Sequence, residues 1–269
     1  MNNCINNLEP LNQTLLGNTN ILVSKLGLGT VKFGRNTGVN YSTQFNIPDD
    51  KTIKKLLSTA KELNINLLDT APAYGSSEER LGTLLQNERH QWIICSKVGE
   101  EFNNNQSSFN FTKEYIISCL HRTLKRLNTD YLDLLLIHSD GQDEEIINTY
   151  QVFDTLINLK QQGLIRAFGM SSKTIVGGIL TAKSADVVMV TLNLNHLEEI
   201  PVITEALKLN KGVLIKKSLD RGYLAIQPSM DLIFKNPEIL GVHSVIMGTI
   251  NPLHLKEAVQ CIIKSKINA

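Results

Sequence analysis

The sequence carries almost no net charge: 27 lysines and arginines stand against 26 acidic residues, with no basic block. That balance excludes the electrostatic footprint of a nucleic-acid or anionic-membrane binder. Long apolar runs are also missing. None exceeds a handful of residues, too short to span a bilayer, and the N-terminus lacks a basic-then-apolar signal pattern. The four cysteines, Cys4, Cys95, Cys119 and Cys261, lie far apart and form no C-x-x-C pair. They read as reduced, mostly buried thiols of a cytoplasmic protein, with no metal site. No Pro/Gly/Ser-rich linker or composition shift divides the chain. One domain is expected over residues 13–269, behind a loose polar tail at 1–12.

What is present is an alternation of short apolar strands with amphipathic helices. A hairpin is expected around 13–24, turning at Gly17-Asn18. The strand KLGLG and a long loop follow, then a helix over 50–64. That helix puts Ile53, Leu56, Leu57, Ala60 and Leu63 on one face, with Asp49 or Asp50 as its cap. The pattern repeats through the strands NLLDT, WIICSK, YLDLLLIH, LIRAFGM, DVVMVTL, GVLIKK and HSVIMG. Helices are expected at 76–87, 112–128 and 143–162, and again after the later strands. Runs such as Leu134-Leu135-Leu136-Ile137 suit parallel strands buried on both faces. Eight such units in about 250 residues predict an α/β (β/α)8 TIM barrel. The rival, an open dinucleotide-binding sheet, needs G-x-G-x-x-G running from the first strand into a helix. GLGTVKFG spaces its third glycine wrongly and leads into a loop instead. The stretch NNNQSS at 103–108 reads as a flexible surface segment.

In such a barrel, chemistry sits at the C-terminal ends of the strands. Asp69 ends the second strand, with Tyr74 five residues on; Lys97 ends the third and His138 the fourth. Each alone has an ordinary explanation: a turn residue, a packed ring, a solvated charge, a hydrogen-bonded core histidine. Together they suit the protonation of an oxygen on which negative charge builds. A phenol has a pKa near 10, so it benefits from an adjacent ammonium that stabilises the phenolate. A carboxylate keeps that ammonium charged, and an imidazole can hold the substrate oxygen.

LLDTAPAYG, ICSKVG and LDLLLIHSD, in that order on a barrel, resemble the aldo-keto reductase superfamily over nearly the whole chain from about Val23. The resemblance implies an NAD(P)H-dependent reduction of an aldehyde or ketone. Tyr74 would be the proton donor, supported by Lys97, Asp69 and His138. It implies NADPH in preference to NADH, bound extended along the rim. In FGMSSKT, Ser171 matches a residue that holds the nicotinamide carboxamide, and Ser172 replaces the usual Asn. The usual Gln of the sixth strand falls at Met189, with Thr191 as the alternative. Lys216 stands where an aromatic commonly stacks on nicotinamide, which would disfavour the oxidised, positively charged ring. A plain solvated lysine pair, Lys216-Lys217, is the alternative.

Ser218, Leu219 and Arg221 match the loop over the pyrophosphate. Gly248 and Thr249 match the adenosine-phosphate stretch, with His254 where NADPH-preferring members often carry Arg, and Glu257 at an adenine contact. The loop 30–48, with Lys32, Phe33, Arg35, Tyr41 and Phe45, is a candidate wall or lid. The chain stops soon after its last helix, so other loops are expected to shape the substrate pocket. The expected partner is a small-molecule carbonyl compound, and the expected state a monomer. Two further readings stay open: an NAD-linked aldose dehydrogenase, and a cofactor-binding regulatory protein with little turnover.

Overall fold

The computed structural model describes residues 9–267. The chain opens with an antiparallel hairpin, β1 (Gln13–Leu15) and β2 (Leu22–Ser24), with Leu15 opposite Leu22. Barrel strands β3 (Leu26–Gly29), β4 (Leu67–Asp69) and β5 (Ile93–Val98) follow. A second hairpin, β6 (Glu100–Asn103) and β7 (Gln106–Phe109), stands outside the barrel. The remaining barrel strands are β8 (Leu132–His138), β9 (Ile165–Ser171), β10 (Val187–Thr191), β11 (Gly212–Lys216) and β12 (Ser244–Gly248). All eight pair in parallel, and β12 closes on β3. The helices are α1 (Val31–Gly34), α2 (Asp50–Glu62), α3 (Ser77–Leu84), α4 (Lys113–Leu127), α5 (Asp143–Asn148), α6 (Val152–Gln161), α7 (Ile175–Ser184), α8 (Ile200–Lys208), α9 (Ile226–Lys235) and α10 (Pro252–Ile267).

The two-residue period of a strand sorts the core into two layers. Leu134 and Leu136 point inward, joined by Leu67, Cys95, Ala167, Val187, Met189, Leu214 and Ile246. Leu135 and Ile137 point outward under the helices, with Ile94, Val188 and Val245. The expected helix face is observed on α2, where Ile53, Leu56, Leu57, Ala60 and Leu63 are buried. Asp49 caps it, accepting a hydrogen bond from Thr52 N at 2.8 Å.

The first hairpin plugs the N-terminal end of the barrel. Leu16, Ile21 and Val23 join the inner layer. The turn bends at Gly17, whose φ of +54° and whose contact with the backbone of Gly212 leave no room for a side chain. Gly17 N donates to His243 Nε2 at 3.0 Å, tying the plug to the barrel wall.

Three local expectations are revised. Residues 1–8, including Cys4, lie outside the described residues, but residue 11 of the expected tail is anchored. Leu11 is buried, and its N–H donates to Leu63 O at 3.1 Å. NNNQSS is the end of β6, the turn and most of β7 in the β6–β7 hairpin. Asn104 and Asn105, at φ of 51° and 62°, supply the two left-handed residues that a tight hairpin turn requires. The helix expected over 143–162 is two helices, broken where Gln151 takes a φ of 50°. The pieces serve different neighbours: Asp143 ties α5 to the loop after β9, while Phe153 of α6 packs on Phe168 of β9.

Among the described residues, Cys95, Cys119 and Cys261 are buried free thiols. No described helix is long and apolar enough to cross a membrane.

Candidate active site

Strand parity also decides what faces the mouth of the barrel. Two residues beyond the inward-facing Leu67, Cys95 and Leu214 stand Asp69, Lys97 and Lys216, and Ser171 stands four beyond Ala167 on the same parity. All four line one cavity of about 650 Å3, together with Tyr74 and His138. The sequence therefore delivers the four expected catalytic residues to one place.

Tyr74 sits in a single 3-10 turn, Pro72–Tyr74, that is held against α1. A Cβ on Gly75 would fall 2.1 Å from Gly34 O, so the two turns pack backbone to backbone. Beneath them Ser77 Oγ donates to Thr30 Oγ1 at 2.7 Å, and Thr30 Oγ1 donates to Asp69 O at 2.9 Å. This buried hydroxyl chain locks the Tyr74 loop to the ends of β3 and β4.

Lys97 Nζ is the hub. It contacts Asp69 Oδ1 at 2.5 Å, Thr70 O at 3.0 Å and Tyr74 Oη at 3.1 Å. Burial alone would lower the pKa of Lys97, but Asp69, with Tyr74 and Cys95, outweighs it and raises the value. The ammonium is thus retained at every ordinary pH. Burial raises the pKa of Tyr74 above that of a free phenol. Lys97 is the strongest opposing influence, acting in the expected direction without reversing the net shift. In the protein without substrate, Tyr74 therefore holds its proton firmly at neutral pH.

His138 stands with its ring edge to face against Tyr74, the centroids 6.2 Å apart. Its Nδ1 lies 2.8 Å from Glu100 Oε2, a partner the sequence did not suggest. Burial lowers the His138 pKa below its usual value despite that carboxylate. Burial opposes ionisation of Glu100 too, but the His138 contact and Ser107 outweigh it and bring Glu100 to about 2. A neutral His138 with its proton on Nδ1, the nitrogen that faces the Glu100 carboxylate, leaves Nε2 bare. Only the doubly protonated ring can then donate from Nε2 to a substrate oxygen.

The expected cofactor residues mostly converge. Ser171, Lys216, Ser218, Leu219, Arg221, Gly248, Thr249, His254 and Glu257 all line the cavity, as does Met189. Ser172 does not. It follows Ser171 and so points the other way, with its hydroxyl oxygen 3.2 Å from where a Cβ on Gly178 of α7 would stand. Its carbonyl instead accepts from Lys216 Nζ at 2.6 Å. Asp143 secures this segment by accepting from Lys173 N, Thr174 N and Thr174 Oγ1 at 2.8, 2.8 and 2.9 Å.

The loop over 30–48 spans the rim as a wall. Val39 to Thr43 line the cavity, and Ser42 N donates to Arg221 O at 3.2 Å. Lys32 Nζ lies over the Tyr41 and Phe45 rings at 4.2 and 4.9 Å. Phe33 is wholly buried beneath, and Arg35 stacks on Phe102 of β6 at 3.3 Å.

The residues fit an extended, anionic, nucleotide-like group. The Ser218 hydroxyl is buried without a hydrogen-bond partner at the cavity wall. Gly29 and Gly248 present bare backbone there, and Lys32, Lys173, Lys217 and Arg221 supply cations against Glu257. Among the described residues no cluster of His, Cys, Asp and Glu is placed to hold a metal.

Known proteins agree with this geometry. The sequence profile of the aldo/keto reductase family matches residues 25–226. The crystal structure of a candidate aldo-keto reductase from Pseudomonas aeruginosa superposes with a TM-score of 0.88 at 45% identity, over 98% of each chain. The uncharacterised oxidoreductase YqkF of Bacillus subtilis is 34% identical over 58% of this chain and 47% of its own length. The NADH-specific methylglyoxal reductase of Escherichia coli is 30% identical over 58% of this chain and 51% of its own. The matches thus span about half the length of these curated relatives. A closed parallel barrel, the Lys97-centred cluster at its mouth and a profile match over most of the sequence lead to one assignment: the chain belongs to the aldo/keto reductase family of oxidoreductases.

Proposed function

We propose that the protein reduces the carbonyl of a small aldehyde or ketone, with NADPH preferred and Tyr74 as proton donor. The observation that carries this reading is Lys97 Nζ, placed between Asp69 at 2.5 Å and Tyr74 Oη at 3.1 Å. The nicotinamide cofactor of the family supplies a hydride when bound. Everything else falls to this chain's own side chains. Tyr74 Oη, partly open to the cavity, gives its proton to the oxygen on which charge develops. An alkoxide is more basic than a phenolate, so the transfer runs downhill even from a raised phenol pKa. Lys97 stabilises the phenolate left behind, and Asp69 keeps that ammonium charged and in place. His138, when doubly protonated, donates from Nε2 to the same oxygen while Glu100 holds Nδ1.

Ser171, Ser218, Leu219, Arg221, Gly248, Thr249, His254 and Glu257 would hold the cofactor, Lys216 lying beside it. The surplus of cations on the wall favours the form bearing the extra phosphate. A charge-assisted contact contributes about 1.5–3 kcal/mol, so NADPH is expected to bind about tenfold or more tightly than NADH. The E. coli relative named for NADH marks the other possible outcome.

Fluorescence titration with both cofactors, followed by absorbance-monitored oxidation against simple aldehydes and ketones, tests the reading. Tyr74→Phe is expected to lower turnover by about 10^3 with cofactor affinity unchanged. Unchanged turnover in that variant, or failure of the parent to bind either cofactor, would refute it.

A further inference from the structure

Lys216 takes no part in the proton transfer, yet it is the most unusual base on the rim. It ends β11, facing inward by strand parity, and its side chain is partly open to the cavity. No carboxylate lies within ion-pair distance of it among the described residues. The charged groups around it are Glu199 from the turn before α8, the adjacent Lys217, Lys173 from the loop after β9, and Asp143 of α5. Two are cations and two are carboxylates, so they largely offset one another. Burial dominates and brings the amine down to about 7.

The hydrogen bonds matter as much. Nζ donates to Ser171 Oγ at 2.8 Å and to Ser172 O at 2.6 Å. A neutral amine has two N–H bonds and one lone pair. With both N–H bonds engaged, the lone pair is the one valence left for the cavity. Lys97 is the internal contrast, since its Nζ is saturated by Asp69, Thr70 O and Tyr74.

We propose that Lys216 is a nucleophilic amine that condenses reversibly with small aldehydes entering the groove when no cofactor fills it. The Nζ lone pair forms a bond to the carbonyl carbon, and the C=O π pair moves to oxygen. A proton passes from nitrogen to that oxygen, giving a carbinolamine. The hydroxyl then departs with a further proton as water, and the nitrogen pair forms the C=N bond of an imine. Hydrolysis reverses every step, and no oxidant or reductant is consumed. Desolvated lysines of lowered pKa are the ones that perform this chemistry.

The test uses the cofactor-free full chain with butanal and cyanoborohydride, which reduces imines faster than aldehydes and so fixes each adduct as an N-butyl lysine. Peptide mass spectrometry then ranks the lysines by rate. At pH 7 an ordinary lysine is neutral in only about one molecule in 10^3 to 10^4, against roughly half for Lys216. Lys216 is therefore expected to be modified at least about tenfold faster than the exposed Lys51, Lys54 and Lys55, with Lys97 unmodified. The advantage shrinks towards pH 10. In Lys216→Arg the fast site disappears while the exposed lysines react as before. Modification of Lys216 no faster than Lys51, or an advantage that persists unchanged to pH 10, would overturn the proposal. Neither result depends on hydride transfer, so the reductase reading stands or falls separately.

Discussion

Lys97 and Lys216 end strands on opposite sides of the same eight-stranded barrel, both pointing inward to one cavity. Burial pushes both towards the neutral amine. Lys97 has a carboxylate at 2.5 Å and stays charged, while Lys216 donates to the neutral Ser171 Oγ and Ser172 O and falls to about 7. The residue type is the same, and the partner sets the chemistry. One side of the rim carries a fixed positive charge that steadies a phenolate; the other carries a base that titrates near neutrality.

The sharpest way to break this contrast is to remove the partner. Asp69→Asn should make Lys97 behave more like Lys216, since the largest influence offsetting its burial would be gone. Turnover is expected to fall about 10^2-fold at pH 7 and to acquire a new dependence on pH in the neutral range. Steady-state kinetics across pH 5–9 measure this, and a flat profile would show that Asp69 is not what keeps Lys97 charged.

The second case lies outside the rim. His243 is a buried base with no carboxylate against it among the described residues, facing the N–H groups of Gly17 and Val213 at 3.0 and 3.1 Å. Burial, helped by Lys25, lowers it to about 4. A depressed base stabilises the fold fully above its unfolded pKa near 6.5, and the benefit is lost as pH falls towards the folded value. Stability is expected to drop by roughly 2 kcal/mol between pH 6.5 and 4.5, with His243→Gln losing that part of the slope. Urea unfolding at several pH values reads it directly; the same slope in the variant contradicts the assignment.

A smaller effect concerns the redox state of the cofactor. Below pH 7, Lys216 gains a positive charge, which repels the oxidised nicotinamide and not the reduced one. The affinity ratio of NADPH to NADP+ should rise several-fold from pH 8 to pH 6. Lys216→Met should make it flat; an equal rise in the variant would remove Lys216 from the account. The smallest effect is expected from Glu100→Gln. Loss of that anion lowers the His138 pKa further, so kcat/KM at pH 6 should fall roughly threefold as the acid-favoured limb moves to lower pH. An unmoved limb would mean that Glu100 does not set the protonation of His138.

The barrel and three of its four central residues are legible because both follow from periodicity, while Tyr74 lies in the turn five residues past β4. Consecutive apolar residues marked the strands, and Asp69, Lys97 and His138 stand where strands end. Ser172, expected among the cofactor residues, does not line the cavity: it follows the last residue of β9, and its hydroxyl faces Gly178 of α7. Glu100 was missed because its hairpin was read as loose chain. The signal was there in Asn104-Asn105, a pair suited to a two-residue turn, but short polar flanking strands hid it. Lys216 illustrates the limit. Its position was readable, but its lowered pKa depends on which charges the fold leaves out of its neighbourhood.

The plug made by Leu16, Ile21 and Val23 has a consequence for traffic. A barrel stoppered at one end is a vessel with a single mouth. With the inner layer packed and the far end stoppered, whatever binds at the mouth enters and leaves by that mouth alone.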